Sequence, residues 1–266
     1  MIKILKNAHL YKYAMASLTE TFEYRGISFE GGNSSITPEK LRAVVESPKM
    51  REWCNAQVDA GIIHTDKVTV NDIKFFGPVS PERVGFVALE GVAKEVETGE
   101  KILSSYAFIR GGSVAVFVRA IVIDDERREV RSYGIFTQQI RYPMGGMLRE
   151  ICAGCVDAET NNLKGVALTE LQEELGIIVN VNDLVSLGNI VPSGGGTYEI
   201  IDLYYLAVHF TEEELREKKL FFTDGVETGE KISLIFTPYS DMDRFLDEIG
   251  DVKAECAWRR IQNRGL

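Results

Sequence analysis

Several residue types are scarce in this sequence of 266 residues, and each scarcity excludes a class of protein. The four cysteines are too few and too scattered for a secreted disulfide scaffold, so a reducing compartment is expected. The three histidines lack metal-ligand spacing, and no G-x-S-x-G motif supports a serine hydrolase. Apolar runs stay far below the length of a membrane span, and Ser113–Ile123 is interrupted by Arg119.

Basic residues are outnumbered by acidic ones, 30 to 40, which gives a formal net charge of −10 at pH 7. A nucleic-acid partner requires a basic surface that displaces counterions, so this balance argues against one. It does not exclude a small phosphate substrate, because divalent cations can bridge two negative groups. The hydrophobic fraction of 45% is that of a globular enzyme, and the length suffices for one large or two modest domains.

The first nineteen residues bear on the cellular compartment. They contain Lys3, Lys6 and Lys12 and no acidic residue before Glu20, as in a transit peptide. They also contain no arginine, and a strand-like alternation explains them equally well. No signal peptide is apparent, so we predict a cytoplasmic protein and leave organelle targeting open.

The first part of the chain has the pattern of strands with one helical segment. Residues 1–36 resemble short strands, Pro38–Ala60 is helical, and Val68–Arg110 returns to strands. The pair Gly111-Gly112 then opens a new region. We therefore predict a β-rich N-terminal domain over residues 1–111.

The second region, residues 112–266, begins with a hairpin of Val114–Ile123 and Glu129–Ile140. A helix is predicted over Leu163–Leu175 and ends at Gly176, and further strands and terminal helices follow. Because strands dominate and helices punctuate them, we predict an α+β fold with a mixed sheet.

The helix predicted over Leu163–Leu175 carries an apolar stripe and an acidic cluster that is expected to lie away from it. The carboxylates are Glu170, Glu173 and Glu174, of which the first and last share a face one turn apart. Two carboxylates ~4 Å apart repel by about 4 kcal/mol at an intermediate dielectric, and Mg²⁺ removes that repulsion. A solvated acidic face is the alternative. Gly154 before the helix and Gly176 after it favour a metal site.

The segment Ala153–Ile177 resembles the Nudix box. That pattern is Gly, five residues, Glu, seven residues, then Arg-Glu-aliphatic-any-Glu-Glu-any-Gly-aliphatic. The second half, Thr169–Ile177, lacks only the arginine. The preceding loop is one residue longer than the pattern, and the residue aligned with its glutamate depends on the gap, as Glu159, Thr160 or Asn161. Because the family's first glutamate and arginine support the architecture together, losing both leaves no unpaired buried charge.

Three flanking segments are similar to nucleotide-sugar pyrophosphatases. Gln139–Gly145 resembles their Q-x-R-x-P-x-G segment, and Glu150–Gly154 their Glu-Leu-Pro-Ala-Gly strand, with Cys152 replacing proline. Val191–Glu199 resembles their Pro-Ser-x-Gly-Gly loop and the acid near it. The resemblance is strongest to plant ADP-sugar diphosphatases and extends over most of the chain, from about residue 40 to 240.

This resemblance implies a metal centre. Glu170, Glu174 and the backbone carbonyl of Ala153 would hold Mg²⁺, with Mn²⁺ as the alternative. Glu173 would be a catalytic group, either a further ligand or one that orients the attacking water. Glu230 roughly matches a loop glutamate that acts as base or extra ligand in this branch.

The assignment of Glu230 has a competing interpretation. Its heptapeptide, Val226–Ile232, repeats Val96–Ile102, which is predicted to be a simple hairpin turn, so both interpretations stay open. The pair Cys152 and Cys155 forms a CxxC motif, but no second pair accompanies it, so we predict neither a zinc nor a redox centre.

Five residues would bind the substrate. Arg141 can bind a phosphate bidentately, although a surface salt bridge explains it equally well. Tyr142 could stack on the nucleobase or simply pack. The resemblance adds Arg110, Gly195 and Glu199.

The family implies a Nudix α/β/α sandwich over residues 112–266 and a homodimer formed through the N-terminal domain. The predicted reaction converts a nucleoside diphosphate sugar into a nucleoside monophosphate and a sugar 1-phosphate, with ADP-sugar ahead of UDP-glucose and ADP-ribose. Neither nucleic acid nor membrane is an expected partner. Because the box is altered, a catalytically impaired Nudix-like module that binds nucleotide sugars stays the alternative.

Overall fold

The computed structural model describes residues 20–102, 105–156, 162–219, 222–224 and 231–266. These residues contain twelve strands and six α-helices and cluster into two compact units. The first unit contains the described residues up to Gly111 together with Ser193–Glu199. The second contains Gly112–Val156, the described residues that follow as far as Pro192, and those of Ile200–Leu266.

The helical segment predicted over Pro38–Ala60 has the predicted outer bounds and forms two helices, α1 (Pro38–Glu46) and α2 (Pro48–Ala60), which are separated at Ser47. The side chains of Thr37 and Ser47 accept backbone N–H groups of the two first turns. Each helix then starts with proline, whose fixed φ suits that position. Gly61 ends α2 in the left-handed conformation.

The sheet of the first unit contains β1 (Phe22–Tyr24), β2 (Ile27–Gly31), β3 (Ile63–Phe75), β4 (Val84–Glu95) and the start of β5 (Tyr106–Ile123). Strands β2 and β3 are parallel, because α1 and α2 form the crossover between them, and the other pairs are antiparallel. The sheet is therefore mixed. One core joins it to the helices and includes Phe29, Val44, Trp53, Val68 and Leu89.

The second unit contains the rest of β5 and further strands: β6 (Glu129–Arg141), β7 (Gly146–Glu150), β8 (Cys152–Cys155), β9 (Val185–Ile190), most of β10 (Thr197–Phe210), β11 (Phe222–Asp224) and β12 (Lys231–Pro238). Antiparallel pairing joins β6 to β5, β7 and β12, and joins β8 to β5. Its helices are α3 (Leu163–Leu175), α4 (Glu212–Lys219), α5 (Met242–Ile249) and α6 (Val252–Arg264).

Neighbouring residues of β5 face opposite sides of this sheet, as the two-residue period of a strand requires. Val116 lies in a core with side chains of α3 and α4, and Phe117 lies in a second core with α5 and α6. Each face of the sheet is thus covered by helices. The predicted α+β fold with a mixed sheet and an α/β/α sandwich is confirmed.

The pair Gly111-Gly112 behaves differently from the sequence-based expectation. Strand β5 continues through both glycines instead of ending there. Gly111 has a φ of +91°, and a Cβ at this position would lie 3.1 Å from the Cβ of Lys49. Glycine allows that backbone conformation, so the strand runs on. Within the described residues, no helix is long and apolar enough to cross a membrane.

Candidate metal and pyrophosphate site

Helix α3 is fixed at both ends by local sequence. The Asn162 side chain accepts the Gly165 N–H at 2.9 Å, and Gly176 ends the helix with a φ of +61°. Ala167, Leu171 and Leu175 are buried in the core that they share with β5. The predicted apolar stripe therefore sets the rotation of the helix, and this rotation turns its carboxylates towards β8.

Glu170 lies directly against the backbone of β8. A Cβ built on Gly154 would overlap the carboxylate of Glu170, so this carboxylate occupies space that only glycine leaves open. Glu170 is half-buried there. The glycine of the motif is thus explained by close approach of a side chain, and not by an unusual φ.

Glu174 is buried, with 7% of the residue exposed. We expected it to lie away from the apolar stripe, but it follows Leu171 by three residues and so lies at the margin of the buried face. The backbone N–H of Ala153 donates to its Oε2 at 3.2 Å. Burial raises the pKa of Glu174 to about 8, against the lowering effect of a hydrogen bond from the Cys152 thiol, and the charge of Glu170 adds to the rise.

The donor set near β8 fits a hard divalent cation. Two carboxylates, Glu170 and Glu174, meet the strand end that carries Ala153, one in space left by a glycine and one at a buried backbone amide. Among the described residues, no three His, Cys, Asp or Glu side chains form a ready-made metal cage. Mg²⁺ is commonly bound by one or two carboxylates, with water and substrate phosphates completing the octahedron. Glu173 is exposed on the same helix.

Arg141, predicted to bind phosphate, ends β6 and is bonded to Glu150 of β7. Its Nε and Nη2 donate to Glu150 Oε1 at 3.2 and 3.0 Å. Lys253 Nζ donates to Oε2 of the same carboxylate at 3.0 Å. Burial would raise the pKa of Glu150, but the charges of Lys253 and Arg141 outweigh it, and the pKa is lowered. This buried carboxylate is therefore ionised at neutral pH.

Tyr142 follows β6 directly and is 95% exposed. Its ring is therefore accessible to a ligand. The neighbouring hairpin of β6 and β7 also exposes Ile140, Met144 and Met147, so this tip of the second unit is apolar.

The remaining predicted substrate residues lie in the first unit. Arg110 Nε is 3.3 Å from Glu199 Oε1, and its guanidinium lies 5.9 Å from the ring centre of Phe86. Gly195 belongs to a turn whose carbonyl at Gly196 accepts the Phe108 N–H at 2.9 Å. Arg110 and Glu199 are thus brought together. Gly195 lies in the loop that precedes Glu199 in the chain.

Several predicted features lie outside the described residues. They include Glu230 and the residues aligned with the first glutamate of the box, Glu159 to Asn161. Thr169, which stands where the family has arginine, donates its hydroxyl to the Gly165 carbonyl at 3.2 Å. The Thr169 hydroxyl is thus hydrogen-bonded within its own helix, and threonine has no charge that needs an ion-pair partner. The turn at Glu97–Glu100 lies in the heptapeptide that Val226–Ile232 repeats. It is a hairpin turn, as predicted, in which the Glu95 N–H donates to the Glu100 carbonyl.

Three residues near the site were not singled out from the sequence. Glu150 falls inside a matched segment, and that position could have indicated a role. Asp251 and Lys253 show only the signal of a helix start, an aspartate after Gly250. Nothing local indicates the contact of Lys253 with Glu150, because the two residues are 103 positions apart.

Comparison with known proteins gives one informative relative. No family model matches the chain. "Nudix hydrolase 14, chloroplastic" from Arabidopsis thaliana is 28% identical over 244 residues, which cover 88% of this chain and 77% of the relative. A solved structure described as "Crystal structure of ADP compounds hydrolase" aligns with a TM-score of 0.46 and 14% identity, over 75% of this chain and 96% of that one. The sequence relationship confirms the Nudix resemblance and the prediction of a hydrolase: the chain is similar to a Nudix hydrolase over most of its length.

Proposed function

We propose that this protein hydrolyses the pyrophosphate bond of a nucleoside diphosphate sugar in a Mg²⁺-dependent reaction, releasing a nucleoside monophosphate and a sugar 1-phosphate. The observation that carries the proposal is the meeting of Glu170 and Glu174 at the end of β8, with one carboxylate against Gly154 and the other on the Ala153 amide. The charge of Glu170 adds to the raised pKa of Glu174, so two ionised carboxylates here are costly without a cation.

Bound Mg²⁺ would neutralise charge on the pyrophosphate and lower the pKa of a bound water. Glu170, Glu174 and the Ala153 carbonyl would hold it. Among the described residues, we assign Glu173, which is exposed on the same helix, to orienting the attacking water. Glu230 stays a candidate base on the grounds of sequence resemblance.

Recognition of the substrate is assigned to five residues. Arg141 would bind a phosphate oxygen, since a guanidinium matches phosphate geometry. Exposed Tyr142 would stack on the base. Arg110, Glu199 and Gly195 would contact the nucleoside or sugar. The preference for ADP-sugar over UDP-glucose and ADP-ribose is supported by the flanking segments, Gln139–Gly145 and Val191–Glu199.

The experiment that tests this proposal measures turnover of ADP-glucose, UDP-glucose and ADP-ribose with Mg²⁺, followed by detection of AMP or UMP. Release of monophosphate that EDTA abolishes is expected. Retained nucleotide-sugar binding without turnover of any substrate would instead support the impaired binding module. A reaction unchanged by EDTA would contradict the metal assignment.

We further propose that residues 1–111 form a dimerisation domain and residues 112–266 the hydrolase domain. Light scattering of the purified protein should give twice the monomer mass of 29.7 kDa. Deletion of residues 1–111 should then leave a monomer. The cytoplasmic location stays a prediction, and a fluorescent fusion of the full chain tests it against an organelle.

A further inference from the structure

A buried network of charges connects the start of α6 to the strands that carry the proposed site. Glu150 is at its centre, with only 7% of its side chain exposed. Arg141 binds its Oε1, and Lys253 binds its Oε2 at 3.0 Å. Lys253 Nζ also lies 2.9 Å from Asp251 Oδ1. Two carboxylates and two cations balance, as buried charges require.

Asp251 fixes Lys253 in this position. It caps α6, because its Oδ1 accepts the Lys253 backbone N–H at 3.1 Å. Its Oδ2 accepts the Ile151 N–H, also at 3.1 Å, in the link between Glu150 and the strand of Ala153. The lysine side chain is only 16% exposed. It therefore stays beside Glu150.

Arg141 and Lys253 share the carboxylate of Glu150. Arg141 donates two N–H groups to Oε1, and Lys253 donates to Oε2. A buried carboxylate needs a cation beside it. Lys253 thus divides the neutralisation of Glu150 with Arg141. It also leaves Glu150 with a cation when Arg141 turns elsewhere.

We propose that Lys253 is a positioning residue for substrate binding, which keeps Glu150 neutralised while the guanidinium of Arg141 turns to a substrate phosphate. This rests on the proposed function, in which Arg141 binds that phosphate. Without Lys253, the buried charge of Glu150 holds Arg141 more strongly, and the phosphate competes with a stronger pair. Substrate affinity falls, while the chemical step served by Glu170 and Glu174 is preserved.

The test compares Lys253→Met with Lys253→Arg and with the double variant Glu150→Gln, Lys253→Met. We expect Lys253→Met to raise KM for ADP-glucose about tenfold with little change in kcat, and Lys253→Arg to restore it. In the double variant, the neutral amide releases Arg141, and KM returns towards the wild-type value. A merely structural role predicts that the double variant is worse than the single one. Arg244→Met, which removes an exposed cation from α5, is the matched control.

Calorimetry with inorganic pyrophosphate separates this inference from the proposed function, since it requires no turnover. Weaker pyrophosphate binding by Lys253→Met, reversed in the double variant, supports the positioning role even in a protein that hydrolyses none of the substrates. Active protein with equal KM and equal pyrophosphate affinity in wild type and Lys253→Met would overturn the positioning role alone. Should Lys253→Met fail to fold, Lys253→Gln replaces it, with the same expected rise in KM and the same contrary result.

Discussion

The carboxylate of Glu170 lies where a Cβ on Gly154 would stand. The side chain of Glu170 therefore approaches β8 more closely than any other residue type at position 154 would allow. Because Gly154 has an ordinary φ, its role is spatial and not conformational. The contact between Glu170 and Gly154 thus explains both the position of the proposed metal ligand and the presence of glycine in the motif.

Replacing Gly154 by alanine tests this contact. The added methyl group must displace the Glu170 carboxylate, and a misplacement of about 1 Å at a reacting centre can lower kcat/KM by about 100-fold. Because Glu170 is a half-buried, flexible side chain, the melting temperature should change little. Gly146→Ala is the matched control, since nothing lies within 4 Å of a Cβ there. Wild-type kcat/KM in Gly154→Ala would show that Glu170 has no part in catalysis.

The Glu174→Gln variant should separate stability from metal binding. Burial raises the pKa of Glu174 to about 8, so its charge is costly in the metal-free protein, and an amide still accepts the Ala153 N–H. In EDTA the variant should melt at or above the wild-type temperature. Added Mg²⁺ should raise the melting temperature of the wild type only, because a cation bound by the folded state stabilises it. Glu217→Gln, an exposed change on α4, controls for lost charge. An equal Mg²⁺-induced rise in both proteins would refute the assignment.

The carboxylates of α3 show which parts of the site can be predicted from the sequence. The apolar period and Gly176 predict the helix bounds, and the four-residue step predicts that Glu170 and Glu174 share a face. Which of them is buried depends on the approach of β8, a tertiary contact with no signal in the helix itself. The sequence therefore identifies both residues and misplaces Glu174 relative to the core.

Long-range charge pairs are the part that the sequence does not predict. Arg141 fits both phosphate binding and a salt bridge, and only the fold shows its bond to Glu150. Lys253 reaches the same carboxylate from a terminal helix whose own pattern indicates no more than a cap at Asp251. At Gly111-Gly112 the sequence predicts a feature that the fold lacks. Two adjacent glycines are typical of the end of a strand, but here they lie inside β5.

Acid should weaken the folded protein through Glu150. The pKa of this carboxyl is lowered in the fold, so its contribution to stability is present above the unfolded pKa of about 4.3 and is lost as pH falls through the folded value. At pH 7, Glu150→Gln breaks a buried pair and should lower the free energy of unfolding by about 3 kcal/mol. Urea unfolding at several pH values should show this difference shrinking below pH about 4. Glu255→Gln, whose exposed pair with Arg259 contributes little, should show no such trend. A difference independent of pH would contradict the role of the Glu150 charge.

Arg110→Gln should impair substrate binding without destabilising the protein. The Arg110 side chain is 45% exposed and that of Glu199 only 11%, so loss of the pair should cost about 1 kcal/mol, and the melting temperature should fall by only a few degrees. If its guanidinium binds substrate, KM should rise about tenfold, because a hydrogen bond to a charged group contributes about 1.5–3 kcal/mol. Arg42→Gln is a close match, since Arg42 also pairs with a glutamate, Glu20, and lies 5.3 Å from an aromatic ring centre, that of Phe22. Equal KM values in the two variants would assign Arg110 to the surface salt bridge alone.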